Sequence, residues 1–178
     1  METLSNAEKL ARIDAFEARP TRGPLQSIGR TFGPKPWFLA GFRRVAPRID
    51  PVMSRISGGE WIKSVYGLQG LVLHSTGAKS GAARANQLLY ARDGADFIVI
   101  GTNFGQPKHP AWTANLKANP AAEVEIGGQR LPVRAELIEG TEWDELFARL
   151  VKVYPGYALY LERRGDLPPR MFRLTPQV

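Results

Sequence analysis

The sequence predicts a mainly β, α+β fold: antiparallel strands closing into a barrel with peripheral helices, behind an N-terminal helical extension. Three observations carry this. Apolar runs of strand length recur from residue 70 onward; Asp93-Gly94 and Gly127-Gly128 stand between such runs as hairpin signals; and helical spacing shows only near 110–118 and 141–153 in that region. The domain boundary is placed between 60 and 61, with 1–60 as the extension and 61–178 as the barrel domain.

The elements follow in order. Met1 to Arg19 is polar and charged, unlike a cleavable signal peptide, and Asn6 is the expected N-cap of a helix ending before Pro20. Pro34, Pro36, Pro47 and Pro51 then break the chain into short pieces. Within them, Trp37 to Val45 is an aromatic, apolar run followed by Arg43 and Arg44, with Lys35, Arg48 and Arg55 nearby. It is too short to span a bilayer. Two readings stand for residues 31–56: a lid packed on the barrel, or a basic segment lying on an anionic membrane surface. Strands are expected near 70–75, 85–92, 96–101, 122–127, 130–138 and 170–175, with Pro132 marking an edge or bulge. Thr141 and Asp144 come close to a capping box for the second helix, whose apolar face is Trp143, Leu146, Phe147 and Leu150.

Composition narrows the function. A chain of 178 residues with 43% hydrophobic content is enough for one domain with a proper core. It has no cysteine, which excludes thiolate catalysis, disulfides and Cys-ligated metals, and permits a cytoplasmic address or a peripheral one at the inner face of the cell membrane. His74 and His109 stand alone, without HExxH or paired spacing, so no metal site is expected; His74 reads as a structural histidine at a strand end. The net charge of +7 attracts polyanions without choosing among them. No helix-turn-helix, zinc-finger or RNP pattern accompanies it, and nucleic acid is not an expected partner.

The segment Leu71 to Asp93 is the most informative. An apolar strand runs into Ser75-Thr76-Gly77-Ala78-Lys79-Ser80-Gly81, then Arg84, then a second strand. The glycines let successive N–H groups turn toward one acceptor, three hydroxyls add donors, and Lys79 and Arg84 add charge. Phosphate suits such a pocket. An ordinary solvated turn explains the same composition. The spacing is not that of a P-loop, and no GxGxxG occurs.

Four pieces in order decide the context: Thr76-Gly77-Ala78-Lys79-Ser80-Gly81 with Arg84; Asn103-Phe104-Gly105; His109-Pro110-Ala111-Trp112 with Asn115-Leu116-Lys117-Ala118-Asn119-Pro120; and Tyr154-Pro155-Gly156-Tyr157 with Tyr160. Together they resemble the deazaflavin (F420)-dependent nitroreductase family of split β-barrel oxidoreductases. The resemblance covers roughly the last two thirds of the chain. It implies that 61–178 is a split-barrel deazaflavin-binding domain, and that reduced F420 passes a hydride to an electron-poor acceptor such as an enone, quinone or nitroaromatic. By position, Ser75, Thr76, Lys79, Ser80, Gly81 and Arg84 take the phosphate side. Asn86, Gln87 and Leu88 follow the cofactor along the strand, and Thr102, Asn103 and Phe104 with Trp112 and Asn115 close over or support it. Tyr157 is the implied catalytic residue, with Tyr154 and Tyr160 as further substrate-binding walls; at three-residue steps the phenols would share a helical face. The departures are Ala78 where a basic residue is common, Gln87 where a proline is common, and Thr113 where an aromatic is frequent. A homodimer is also implied. The alternatives are an FMN- or haem-binding barrel, or a non-catalytic carrier of F420 or a lipid.

Overall fold

In the computed structural model, which describes residues 4–19 and 68–178, six strands close into one antiparallel barrel in the order β1-β2-β3-β6-β5-β4. These are β1 (Gly70–Thr76), β2 (Ala83–Asp93), β3 (Asp96–Gly101), β4 (Ala121–Ile126), β5 (Gln129–Ile138) and β6 (Arg170–Pro176). All six expected strands are present, and the barrel expectation holds. Gly94, Gly127 and Gly128 adopt positive φ in the two hairpin turns, a conformation that costs glycine little. Pro132 pairs with Glu123 on β4; on its other side its carbonyl accepts Gln177 N–H at 2.9 Å just past the end of β6, and Gln177 O, which the proline cannot serve, accepts instead from Asn6 Nδ2 at 2.8 Å.

Alternation along the strands sorts the apolar side chains into two cores. Leu71, Leu73, Tyr90, Phe97, Val99 and Phe172 belong to the set that fills the barrel interior. Ala91, Ile98, Ile100, Ile138 and Met171 point outward from the same strands into a second core. β3 feeds both, which is why Phe97 to Ile100 reads as an unbroken apolar run.

Helices close the barrel. At one end lies α1 (Asn6–Glu17), whose Ile13 is fully buried in the interior core and whose Phe16 ring packs under Gly127. Arg92 ties β2 to it through Asp14 and Glu17, and the Tyr90 hydroxyl donates to Glu17. The cap is Ser5 and not Asn6: Ser5 Oγ accepts from Glu8 N–H while the Glu8 carboxylate takes the Ser5 N–H, a full capping box one residue earlier than expected. At the other end, α2 (Ala111–Ala118) buries Trp112 and Leu116 in the interior core.

The outer core is covered by α3 (Trp143–Val153), through Leu146 and Leu150, and by α4 (Gly156–Arg164), through Tyr157 and Tyr160. Thr141 forms no capping box. It lies in a 3₁₀ turn, Gly140–Glu142, and the Glu142 carboxylate is instead turned to Arg173 Nη2 at 2.8 Å. The Trp37–Val45 run and the boundary at 60/61 lie outside the described residues. Among the described residues, no helix is long and apolar enough to cross a membrane.

Candidate functional site

Among the described residues the barrel interior is filled by its own side chains, which directs attention to the α2-side rim. There the basic turn is a closed loop. Gly77 N–H donates to Ala82 O at 2.8 Å, Gly81 N–H to Gly77 O at 2.8 Å, and Ala82 N–H to Ser80 Oγ at 3.3 Å. Ala78 N–H reaches across to Asn115 Oδ1 on α2 at 3.0 Å. Three N–H groups are thus spent on the turn's own shape and a fourth on α2, which narrows the set that can meet an anion. Among described residues, those of Lys79 and Ser80 remain without a partner. A Cβ on Gly77 would stand 2.7 Å from Ser80 Oγ and 3.2 Å from Ala82 O, so a side chain there would displace the Ser80 hydroxyl that holds the turn, and Gly81 holds φ +65°.

The side chains supply the charge. Lys79 and Arg84 are exposed, and among described residues neither meets a carboxylate, whereas Arg92, Arg130, Arg149 and Arg173 all do. Thr76 is exposed at the end of β1, while Ser75 is buried and its Oγ has no hydrogen-bond partner. An open groove of about 470 Å³ continues from the turn, lined in part by Thr76, Ala85, Glu123 and Arg130. His74 stands beside it as a paired structural residue, its Nε2 2.8 Å from Glu125 Oε2 and 3.2 Å from Arg130 Nη2.

Alternation divides the three strand residues that follow. Leu88 packs into the interior core and Asn86 shares its inward face; only Gln87 faces out, in line with Leu89 and Ala91 of the outer core. Of the three residues expected along one ligand, only Gln87 therefore presents its side chain on the outer face. Gln87 carries the sharper signal: both its amide atoms are inaccessible to solvent and have no partner among the described residues. A buried amide that makes no hydrogen bond is costly, and native structures hold few.

α2 joins the turn to the next piece. Asn115 holds the turn, and Thr113 packs so closely on the end of β3 that a Cβ on Gly101 would come within 2.6 Å of its Cγ2. The small Thr113, where an aromatic is frequent in the resembled family, fits this contact. Trp112 is buried against Phe172 at a ring distance of 5.8 Å, so it supports the site from within and does not line it. After Gly101, the chain turns through Asn103 (φ 48°) and Phe104 (φ 55°), both left-handed, with Gly105 pressed against Tyr160 and Arg163 of α4. Phe104 is exposed and meets the Tyr160 ring edge-on at 6.1 Å. Thr102 is buried.

The three tyrosines do gather, though not on one helix. Tyr154 ends α3 with extended backbone (φ −140°), and α4 starts after Pro155. Ring centroids lie 5.4 to 6.3 Å apart, and the Tyr154 and Tyr160 hydroxyls are 3.2 Å from one another. Tyr157 Oη has no partner among the described residues. Burial pushes all three phenols above their ordinary pKa, and all are neutral donors at physiological pH.

Sequence reasoning missed Arg164, which the fold buries under the 102–109 loop. No signal marks it, because a second arginine, Arg163, precedes it in the same helical turn. Among described residues no cluster of acidic or histidine side chains suits a metal ion.

The closed antiparallel barrel, with its filled interior, basic rim turn and flanking aromatic wall, is a split-barrel fold. The solved structure of an F420-H2 dependent reductase shares this fold at 34% identity and TM-score 0.54, covering 59% of this chain and 92% of that one. Another solved structure, described as a domain-swapped dimer, is 28% identical with TM-score 0.56, over 79% and 98%. An F420H(2)-dependent quinone reductase of Mycobacterium tuberculosis is 40% identical over 83 residues, 47% of this chain and 54% of that protein. The chain thus spans about half the length of the curated relatives it matches first. The family model for F420H(2)-dependent quinone reductase matches residues 46–170, and the chain belongs to that family.

Proposed function

We propose that this chain is an F420H2-dependent reductase that passes a hydride to a quinone-type acceptor. The reading rests on the family match together with one observation: the unspent polar groups on the outside and rim of the barrel suit an anionic ring cofactor. Lys79, Arg84 and the N–H groups of Lys79 and Ser80 would hold its phosphate, and the Gln87 amide, covered in this conformation, would have to turn outward to bond a ring edge. Thr102, Asn103 and Phe104 would shield the ring from water, braced by Trp112 and Asn115.

Reduced F420, when bound, supplies the hydride. A quinone becomes a quinol by gaining a hydride and a proton, so the chain needs a proton donor facing the acceptor. Tyr157 Oη is our assignment, since its phenol is neutral and has no partner among the described residues while Tyr154 and Tyr160 bond to each other. Tyr154 and Tyr160 then form the acceptor's wall. Enones and nitroaromatics satisfy the same electron demand and belong in the substrate screen. The homodimer belongs to this proposal as well, and sedimentation of the purified chain decides it.

Fluorescence titration with F420, with FMN as the parallel control, tests the cofactor. Anaerobic mixing of the F420H2-loaded protein with a soluble naphthoquinone then tests the reaction. Saturable F420 binding and oxidation of the loaded cofactor by the quinone are expected. Tight FMN binding without F420 binding would move the chemistry to an ordinary flavin.

A further inference from the structure

Arg164 ends α4 with only 3% of its surface exposed. Its guanidinium is surrounded by carbonyls. Nε donates to Leu167 O at 3.0 Å; Nη1 lies 2.8 Å from Thr102 O, 2.9 Å from Gln106 O and 3.2 Å from Lys108 O; Nη2 reaches His109 Nδ1 at a long 3.4 Å. Among described residues no carboxylate pairs with it. Arginine cannot shed its proton in a protein, so the charge stays and the carbonyl dipoles must solvate it.

A surface loop does not need a buried cation to hold it, and this one encloses its own. Three of the four carbonyls come from residues 102–108, the stretch that carries the two left-handed residues Asn103 and Phe104. Left-handed backbone at non-glycine residues persists only when its surroundings over-determine it. Among the described residues the surroundings are Arg164 from within, the flush contact of Gly105 with α4 from the side, and the loop's own Asn103 Nδ2, which donates to Gln106 Oε1 at 3.3 Å and Lys108 O at 3.2 Å; of these only Arg164 gathers the carbonyls of residues 102, 106 and 108 at one point. Because a guanidinium only donates, the contact with His109 also makes Nδ1 the acceptor and leaves the imidazole proton on Nε2.

We propose that Arg164 is the positioning residue of the site: its guanidinium sets the conformation of residues 102–109 and so places Thr102, Asn103 and Phe104 without touching the ligand. What the loop serves rests on the F420 reading; the clamp itself does not. Lysine is no substitute, since one compact ammonium with three donors cannot bridge Leu167 O on one side and the loop carbonyls on the other.

The test compares the full-length chain with Arg164→Lys by amide hydrogen exchange without ligand, and by F420 titration. The amides of Gly105, Gln106 and Lys108, which bond within the loop, should exchange at least about tenfold faster in the variant while the strands keep their protection. F420 affinity should fall by about tenfold or more, a loss that strands with unchanged protection do not explain. Unchanged loop exchange, or acceleration spread evenly over the barrel, overturns the clamp. Faster loop exchange with unaltered F420 affinity overturns the positioning role. If the wild type itself binds no F420, the functional reading fails and the exchange arm still decides the clamp. Should Arg164→Lys not fold, the wild-type Nε–H resonance of Arg164 carries the test: a buried, bonded proton should exchange about a hundredfold slower than those of exposed arginines, and equal rates overturn the proposal.

Discussion

At the scale of single residues, the site is recognised by what its polar groups lack. Lys79 and Arg84 have no carboxylate to satisfy among the described residues, so their full charge is available to an anion. A charge-assisted hydrogen bond is worth about 1.5–3 kcal/mol, so Lys79→Ala should weaken F420 binding by about tenfold to a hundredfold. Circular dichroism should not change, because the side chain is exposed and supports nothing. Tyr157→Phe should behave in the opposite way. It removes only a hydroxyl, so F420 affinity should hold while quinone turnover falls by at least about tenfold. Equal loss of cofactor affinity in both variants would undo the division of roles. Burial, and with it the neighbouring Tyr154, raises the Tyr157 phenol above the ordinary 10.0, so turnover should show no alkaline limb from this group below that pH. The same shift bears on stability. Tyr90, Tyr157 and Tyr160 hold their protons more tightly folded than unfolded. Their contribution is complete below pH 10 and is lost as pH rises beyond the unfolded value, where the unfolded chain ionises first. Urea midpoints should therefore drop between pH 9 and pH 11, and Tyr157→Phe should reduce that drop.

At the scale of elements, α1 is part of the barrel core as well as an N-terminal helix. Ile13→Ala should cost about 2–5 kcal/mol by urea unfolding, the range for removing a large aliphatic side chain from a filled core. A cost near zero would mean that the plug is dispensable. The strands were legible in the sequence because alternation and the two glycine hairpins are local signals; each lies within two residues of its expected bounds. α4 was not read as a helix. It is nine residues long and begins at a glycine after Pro155, so its helicity comes from docking Tyr157 and Tyr160 on the outer core rather than from propensity. The cap of α1 moved to Ser5 because Asn6 and Ser5 are both good caps, and only the reciprocal bond with Glu8 selects between them. The site was legible as a set of residues and not as a surface. Spacing marks Asn86, Gln87 and Leu88 together, yet the pleat turns Leu88 into the core and leaves Gln87 outside. Trp112 was expected to close over or support the ligand, and spacing could not choose between the two; helix register turns it into the barrel against Phe172. Arg164 could not be read at all, because its partners are carbonyls up to 62 positions away in the chain.

At the scale of the whole molecule, the net charge of +7 acts before any contact forms. A cofactor carrying a phosphate and an acidic tail feels the summed field of the chain over a Debye length, about 30 Å at 0.01 M salt and about 10 Å at 0.1 M. Steering of this kind raises the association rate and leaves dissociation nearly unchanged. Stopped-flow F420 binding should therefore slow in association as salt rises across that range, with dissociation almost constant. Lys79→Ala separates the two scales. It lowers the formal charge by one, to +6, so the salt dependence of association should shrink only slightly. Without the ammonium at the turn, the phosphate is held less firmly, and dissociation should be faster at every salt concentration. If the variant instead abolishes the salt dependence, the field is local to the basic turn and the rest of the chain's charge plays no part in capture. If wild-type association ignores salt altogether, recognition begins with the ring and not the phosphate, and the basic turn serves only to retain a cofactor already bound.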